Sequence, residues 1–202
     1  TISSVTANSN TGGAASYFGI GGPGSGIYLN LSSNNTISGV TANSNTGGTG
    51  FYGDSGGPGS GIYLNSSSNN TISSVTANSN IGGYCQWGNV GPGSGIYLTS
   101  GSNSNLLTND TVNNSANGIY LTASSYNSIY NNFFNNSANV RVDSSTNYWN
   151  TAKTSGTNIV GGPFLGGNFW ANPTGTGFSQ TCADADKNGI CDSAYPLAAN
   201  NI

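Results

Sequence analysis

GPGSGIYLNSSSNNTISSVTANSN occupies residues 57–80, and nearly the same words stand at 22–45. GPGSGIYL returns at 91–98, and GIYL alone at 118–121. The four GIYL segments begin at Gly26, Gly61, Gly95 and Gly118, at intervals of 35, 34 and 23 residues. A matching VRVDSS begins 22 residues later, at Val140. The interval shortens because a glycine-rich piece is dropped. That piece reads TGGAASYFGIGGPGS at 11–25, TGGTGFYGDSGGPGS at 46–60 and IGGYCQWGNVGPGS at 81–94. Short strands and turns recurring at such a period are the arithmetic of a solenoid.

Within one unit, Ile62 and Leu64 alternate with Tyr63, which predicts a strand with two inward apolar residues. Asn and Ser then turn the chain, and Ile72 and Val75 mark further inward positions. No 3.6-residue periodicity and no capped helix is visible anywhere. One unit cannot bury its own apolar face, whereas coils stacked roughly 4.8 Å apart can. Ile27, Ile62, Ile96 and Ile119 then form one column, and Leu29, Leu64, Leu98 and Leu121 another. Asn34/Asn35 over Asn69/Asn70 are expected to form amide ladders at a turn.

Composition excludes several functions. Charged residues are 4% of the chain and the net charge is -3, against about 25% charge in an ordinary soluble domain. Lys153, Lys187 and Arg141 are the only cations, too few for a nucleic-acid surface. No run of about 18 apolar residues exists to span a membrane. Low charge and a polar surface favour the outside of a cell. Seven Asn-x-Ser/Thr sequons stand at Asn30, Asn34, Asn65, Asn69, Asn109, Asn113 and Asn135; in a secreted protein they are glycosylation candidates, although a chain so rich in Asn, Ser and Thr makes sequons by chance.

The GIYL…NN.I…N..N units resemble the right-handed parallel β-helix repeats of NosD-like proteins, a family of carbohydrate-binding and sugar-hydrolase-type β-helices. The tail NYWNTAKTSGTNIVGGPFLGGNFW, followed by DADKNGICD, resembles the C-terminal end of NosD-like surface proteins common in archaea. The resemblance implies an all-β, right-handed parallel β-helix. Repeats over 1–150 give about five to six coils with three stacked Gly/aromatic inserts. An irregular capping or docking segment over 151–202 follows.

The clearest candidate site is Asp184-Ala-Asp186-Lys-Asn188-Gly189-Ile190-Cys-Asp192. Oxygen ligands at Asp184, Asp186, Asn188 and Asp192, with the Ile190 carbonyl and a glycine turn, match most of an EF-hand-type calcium loop. The bidentate Glu expected last is absent, and Tyr195 stands there. Structural Ca2+ fixing the C-terminal segment is the expectation; a metal-free Asp-rich turn is the alternative. Cys182 and Cys191 flank this loop, and outside a cell they are expected to form a disulfide clamping it. Cys85 is left over as a buried free thiol or a partner between subunits. Copper, which the family name suggests, wants clustered His, Met or thiolate ligands. With no His and no Met, the expectation is no copper.

Catalysis is not expected. Glycosidases need two carboxylates about 5–9 Å apart. Outside the Asp loop only Asp54, Asp110 and Asp143 remain, each in a different coil. Arg141 and Asp143 share a strand face, where a surface salt bridge is the simpler reading. The inserts carry Tyr17, Phe18, Phe51, Tyr52, Tyr84 and Trp87, which would stack into one aromatic ridge for packing, subunit contact or sugar stacking. The sequence opens within a repeat at Thr1, as a piece of a longer solenoid or an end covered by the next copy. The function expected is an extracellular structural subunit of a surface filament, sheath or layer, a homopolymer joined head-to-tail or laterally. A carbohydrate-binding cell-surface module is the alternative, and a polysaccharide-degrading enzyme comes third.

Overall fold

A computed structural model describes residues 1–16 and 18–197. The strands are short. In chain order they are β1 (Ile2–Ser3), β2 (Gly24–Asn30), β3 (Thr36–Ser38), β4 (Gly59–Asn65) and β5 (Thr71–Ser73). Then come β6 (Gly93–Thr99), β7 (Leu106–Thr108), β8 (Thr111–Asn113), β9 (Asn117–Thr122) and β10 (Ser128–Tyr130). The last are β11 (Phe133–Asn135), β12 (Ala138–Asp143), β13 (Thr154–Ser155), β14 (Phe164–Leu165) and β15 (Phe169–Ala171).

Each repeat strand pairs in parallel with its counterpart one unit away. The sheets run β12-β9-β6-β4-β2, β1-β3-β5-β7-β10 and β15-β11-β8. Register follows the repeated words: Ile27 pairs with Ile62, Ile62 with Ile96, and Ile96 with Ile119, and the leucines align likewise. Side chains from all three sheets form one core, in which Ile62, Leu64, Ile72, Ile96, Leu98, Leu107, Ile119 and Phe134 are fully buried. Each such side chain contributes about 1.5–3 kcal/mol through burial. The chain is therefore a parallel β-helix, with each rung buried by the next.

The corners explain the Asn and Ser content. Leu31, Ser66, Ser100, Ala123 and Ser144 follow β2, β4, β6, β9 and β12 with left-handed φ of 46–55°, and Asn34, Asn69, Asn109, Asn114 and Asn131 turn other corners with left-handed φ of 54–61°. Asn tolerates that conformation better than most residues, and a short Ser side chain adds little bulk there. Buried amides then tie rung to rung. Asn35 Nδ2 donates to Asn70 Oδ1, Asn70 to Asn105, Asn105 to Asn127, and Asn127 to Asn147, at 2.9–3.2 Å. Each acceptor also takes a backbone N–H from the same donor residue. Asn34 and Asn69, expected in this ladder, lie outside it: both are exposed.

Glycine serves two close approaches. A Cβ on Gly61 would sit 2.5 Å from the Ala77 Cβ, so the strand can lie against that turn only without one. In the glycine-rich segments, backbone meets backbone. Gly91 donates to Gly83, Gly83 to Gly57, Gly57 to Gly48, Gly48 to Gly22 and Gly22 to Gly13, each at 2.8–2.9 Å. A Cβ on Gly57 would lie 2.1 Å from Gly22 O.

The C-terminal part holds two findings that the sequence did not announce. First, β15 pairs in parallel with β11, with Phe134 opposite Trp170. The parallel sheets thus continue to Ala171, past the excursion over 150–168 that contains the antiparallel pair β13–β14. Second, a single helical turn, α1 (Phe178–Thr181), stands where no helix was expected. Four residues are too few to show periodicity, and side chains hold the turn. Gln180 Oε1 accepts the Gly177 and Asn172 N–H groups at 2.8 and 3.0 Å, and the Thr181 hydroxyl donates to Gly177 O at 3.2 Å. Phe178, Tyr195 and Leu197 pack against the end of the core. Tyr195 stacks on Trp170 at 4.6 Å, and Trp170 on Phe134 at 5.1 Å.

Candidate functional sites

The Asp loop brings its carboxylates together. One oxygen from each of Asp184, Asp186 and Asp192 lies within 4.8 Å of the others. Backbone amides aim them. Asn188 N–H donates to Asp184 Oδ1 at 3.0 Å, Gly189 N–H to Asp184 Oδ2 at 2.8 Å, and Ala185 N–H to Asp192 Oδ2 at 3.0 Å. Lys187 and Gly189 take left-handed φ of 55° and 82°, which makes the tight turn. Asn188 Nδ2 donates to Asp186 Oδ1, and this bond holds the Asp186 carboxyl below its usual range. Ile190 is half-buried, with its Cδ1 over Gly166, where an added Cβ would be 3.0 Å away. Cys182 and Cys191 are joined by a disulfide across the loop, Cα atoms 5.7 Å apart. Cys85 is free and buried.

The inserts expose their aromatics. Trp87 is 72% exposed, Phe18 71%, Tyr84 61%, Tyr52 58% and Phe51 42%. Phe18 and Tyr52 rings lie 5.6 Å apart, and Phe51 and Tyr52 4.8 Å in an edge contact. Gly50 bridges to Cys85. A cavity of about 110 Å³ opens among Gly50, Phe51, Tyr52, Gln86 and Trp87. Tyr17 lies outside the described residues.

Sequence reasoning missed a second aromatic array, although GIYL spelled it four times. Tyr28, Tyr63, Tyr97 and Tyr120 stack with ring centroids 4.7–4.9 Å apart and planes within 14°. The Arg141 guanidinium closes the stack, 4.4 Å from the Tyr120 centroid. The Arg141–Asp143 pair forms at 3.1 Å, and Asp143 Oδ2 also accepts the Tyr120 hydroxyl at 2.8 Å. Burial pushes the Tyr63, Tyr97 and Tyr120 phenols up.

The remaining carboxylates stay apart in role. Asp110 is wholly buried. Its Oδ1 accepts Val75 N–H at 2.9 Å, and its own N–H donates to Asn132 Oδ1 at 2.9 Å. Its Oδ2 has no partner. Desolvation pushes this carboxyl up to about 8. Among the described residues, the Asp loop is the only group of three acidic, His or Cys side chains with converging ligand atoms.

The sequons differ in surroundings. Asn30, Asn34, Asn69 and Asn109 are exposed, whereas Asn65, Asn113 and Asn135 are half-buried.

The profile of a family described as "Periplasmic copper-binding protein (NosD)" matches residues 20–175. That description raises copper, and the residues present do not fit it. The chain has no His and no Met, two of its three Cys are bonded to each other, and Cys85 is buried and alone. Copper sites draw on clustered imidazole, thiolate or thioether ligands. A comparison with curated proteins finds no match. The family match spans most of the chain, including every strand from β2 to β15, and the parallel rungs beneath it repeat in register. The chain belongs to the NosD family.

Proposed function

We propose that this chain is a non-catalytic structural β-helix working outside the cytoplasm, as a self-assembling subunit of a surface filament, sheath or layer. One observation carries the reading: identical side chains repeat in register from rung to rung on a surface nearly free of charge. The contact that one rung makes with the next is a contact that matched surfaces of two copies can also make. Little repulsion opposes it. Two of the three cations are already engaged, Arg141 with Asp143 and Lys153 over the Phe164 ring at 4.5 Å. The family's periplasmic description supports a location outside the cytoplasm, as does a surface disulfide. No helix among the described residues is long and apolar enough to cross a membrane.

In this reading the coil is right-handed, with about five to six turns, and the three glycine-rich inserts stack on one side. The segment over 151–202 caps or docks. Ca2+ joins Asp184, Asp186, Asn188, Asp192 and the Ile190 carbonyl, and copper has no role. Sedimentation velocity of the untagged protein, across a wide concentration range and with or without a calcium chelator, tests this. Growing oligomers that shrink on chelation are expected. A single-chain species at every concentration overturns the assembly reading.

The exposed ridge favours a second reading. Trp87 and Tyr84 present aromatic rings beside Gln86 on a nearly uncharged surface, which suits a neutral glycan. In that case Trp87→Ala abolishes glycan binding and leaves sedimentation unchanged.

A further inference from the structure

We propose that Asn34 and Asn69 are sites of N-linked glycosylation, and that the other five sequons are not. The sequence offers seven acceptors of equal standing; the structure sorts them by what each amide is already doing.

Asn34 and Asn69 occupy the same corner of neighbouring rungs, with left-handed φ of 61° and 56°. Their backbones are fixed: Asn34 N–H donates to Ser68 O and Asn69 N–H to Asn103 O, both at 3.1 Å. Both side chains are exposed. They take no part in the neighbouring ladder, in which Asn35 and Asn70 supply the amides instead. A bulky group on either Nδ2 therefore costs no internal bond.

The other five are held through the carboxamide or half-buried. Asn65 Nδ2 donates to Asn30 Oδ1 at 2.8 Å, and Asn131 Nδ2 to Asn109 Oδ1 at 2.5 Å, so turning the Asn30, Asn65 or Asn109 carboxamide toward a transferase gives up a rung-to-rung bond. Asn113 and Asn135 are half-buried, with each Oδ1 sealed from solvent and without a donor. Turning either amide outward to carry a sugar would pull its side chain from the wall of the helix.

The chemistry requires a lipid-pyrophosphate-linked oligosaccharide and a transferase on the outer side of the membrane. Asn Nδ2 bonds to the anomeric carbon, the bond from that carbon to the phosphate oxygen breaks, and lipid pyrophosphate leaves. The displaced amide proton passes to a base of the transferase. Nothing is oxidised or reduced. The two attachment points lie one rung apart, about 4.8 Å, so the glycans form one solubilising brush along that corner. The inference rests on a location outside the cytoplasm, not on assembly. It also bears on assembly, because a glycosylated corner is closed to lateral packing.

The test uses protein purified from its own organism. Peptides are treated with an amidase that releases N-glycans in heavy-oxygen water, which leaves a labelled Asp at each occupied site. Label at Asn34 and Asn69 alone is expected. Absence of label at either, or label at Asn30, Asn65, Asn109, Asn113 or Asn135, overturns the proposal. Thr36→Ala and Thr71→Ala keep both asparagines and destroy both sequons. Each change should remove one glycan from the intact mass, and an unchanged mass contradicts the assignment.

Discussion

Asp110→Asn should stabilise this protein, and should do so increasingly as pH rises. Asp110 stands in register with Asn132, one rung on. Asn132 shows what the position wants: its Oδ1 accepts the Asp110 N–H, and its Nδ2 donates to Leu107 O at 3.0 Å. Asp110 fills the first role through Oδ1 and leaves Oδ2 buried without a partner. The equivalent carbonyl is that of Ile72, in register with Leu107. Burial raises the folded carboxyl from 3.8 to about 8, while the unfolded carboxyl stays near its ordinary value. A raised carboxyl costs nothing below the unfolded value, where both states are protonated. The cost grows from about pH 4 to about pH 8 as the unfolded state alone ionises, and is full above. At roughly 1.4 kcal/mol per pKa unit the ceiling is about 6 kcal/mol; relaxation of the site leaves about 2–4 kcal/mol at neutral pH. Asn cannot ionise, and it can donate to the Ile72 carbonyl. Urea unfolding of both proteins at several pH values between 4 and 9 reads the difference, in which all other titrations cancel. Curves that diverge as pH rises are expected. A difference independent of pH would mean that Asp110 is not held protonated by burial.

Leu64→Ala opens a void in the fully buried leucine column and should cost about 2–5 kcal/mol in denaturant unfolding. Gly61→Val should be worse, because its Cβ would already meet Ala77 at 2.5 Å; loss of soluble folded protein is the expected readout. Replacing Cys182 and Cys191 by Ser removes a bond across nine residues and should cost about 2–3 kcal/mol. By hydrogen exchange, that loss should appear around residues 178–197 while β4 and β6 stay protected.

The fold was legible because the sequence repeats. GIYL sets strand, register and both core columns at once, and β2, β4, β6 and β9 align as the words do. The corner residues were legible in kind, since Asn and Ser supply left-handed turns. Which Asn enters a ladder was not, because Asn34 and Asn35 read alike until the turn assigns one to solvent and one to the core. The return of β15 was obscured by the excursion before it, although NFW at 168–170 echoes NFF at 132–134. Asp110 looked like one of few acids available for catalysis; only burial shows it as an acid in an amide's place. The Asp loop was legible as an alternation of oxygen donors. The convergence of its carboxylates depends on backbone amides that no spacing rule displays. The tyrosine stack was written plainly, yet its closure by Arg141 depends on two strands meeting.

Rungs matched in register on a surface nearly free of charge are proposed to let copies of this chain join, and electron microscopy of the native, untagged protein, with and without a calcium chelator, reads that joining in a single image. Regular filaments or sheets are predicted, with order lost or reduced when calcium is removed. Dispersed particles of single-chain size, at concentrations where the protein is abundant, would contradict the account.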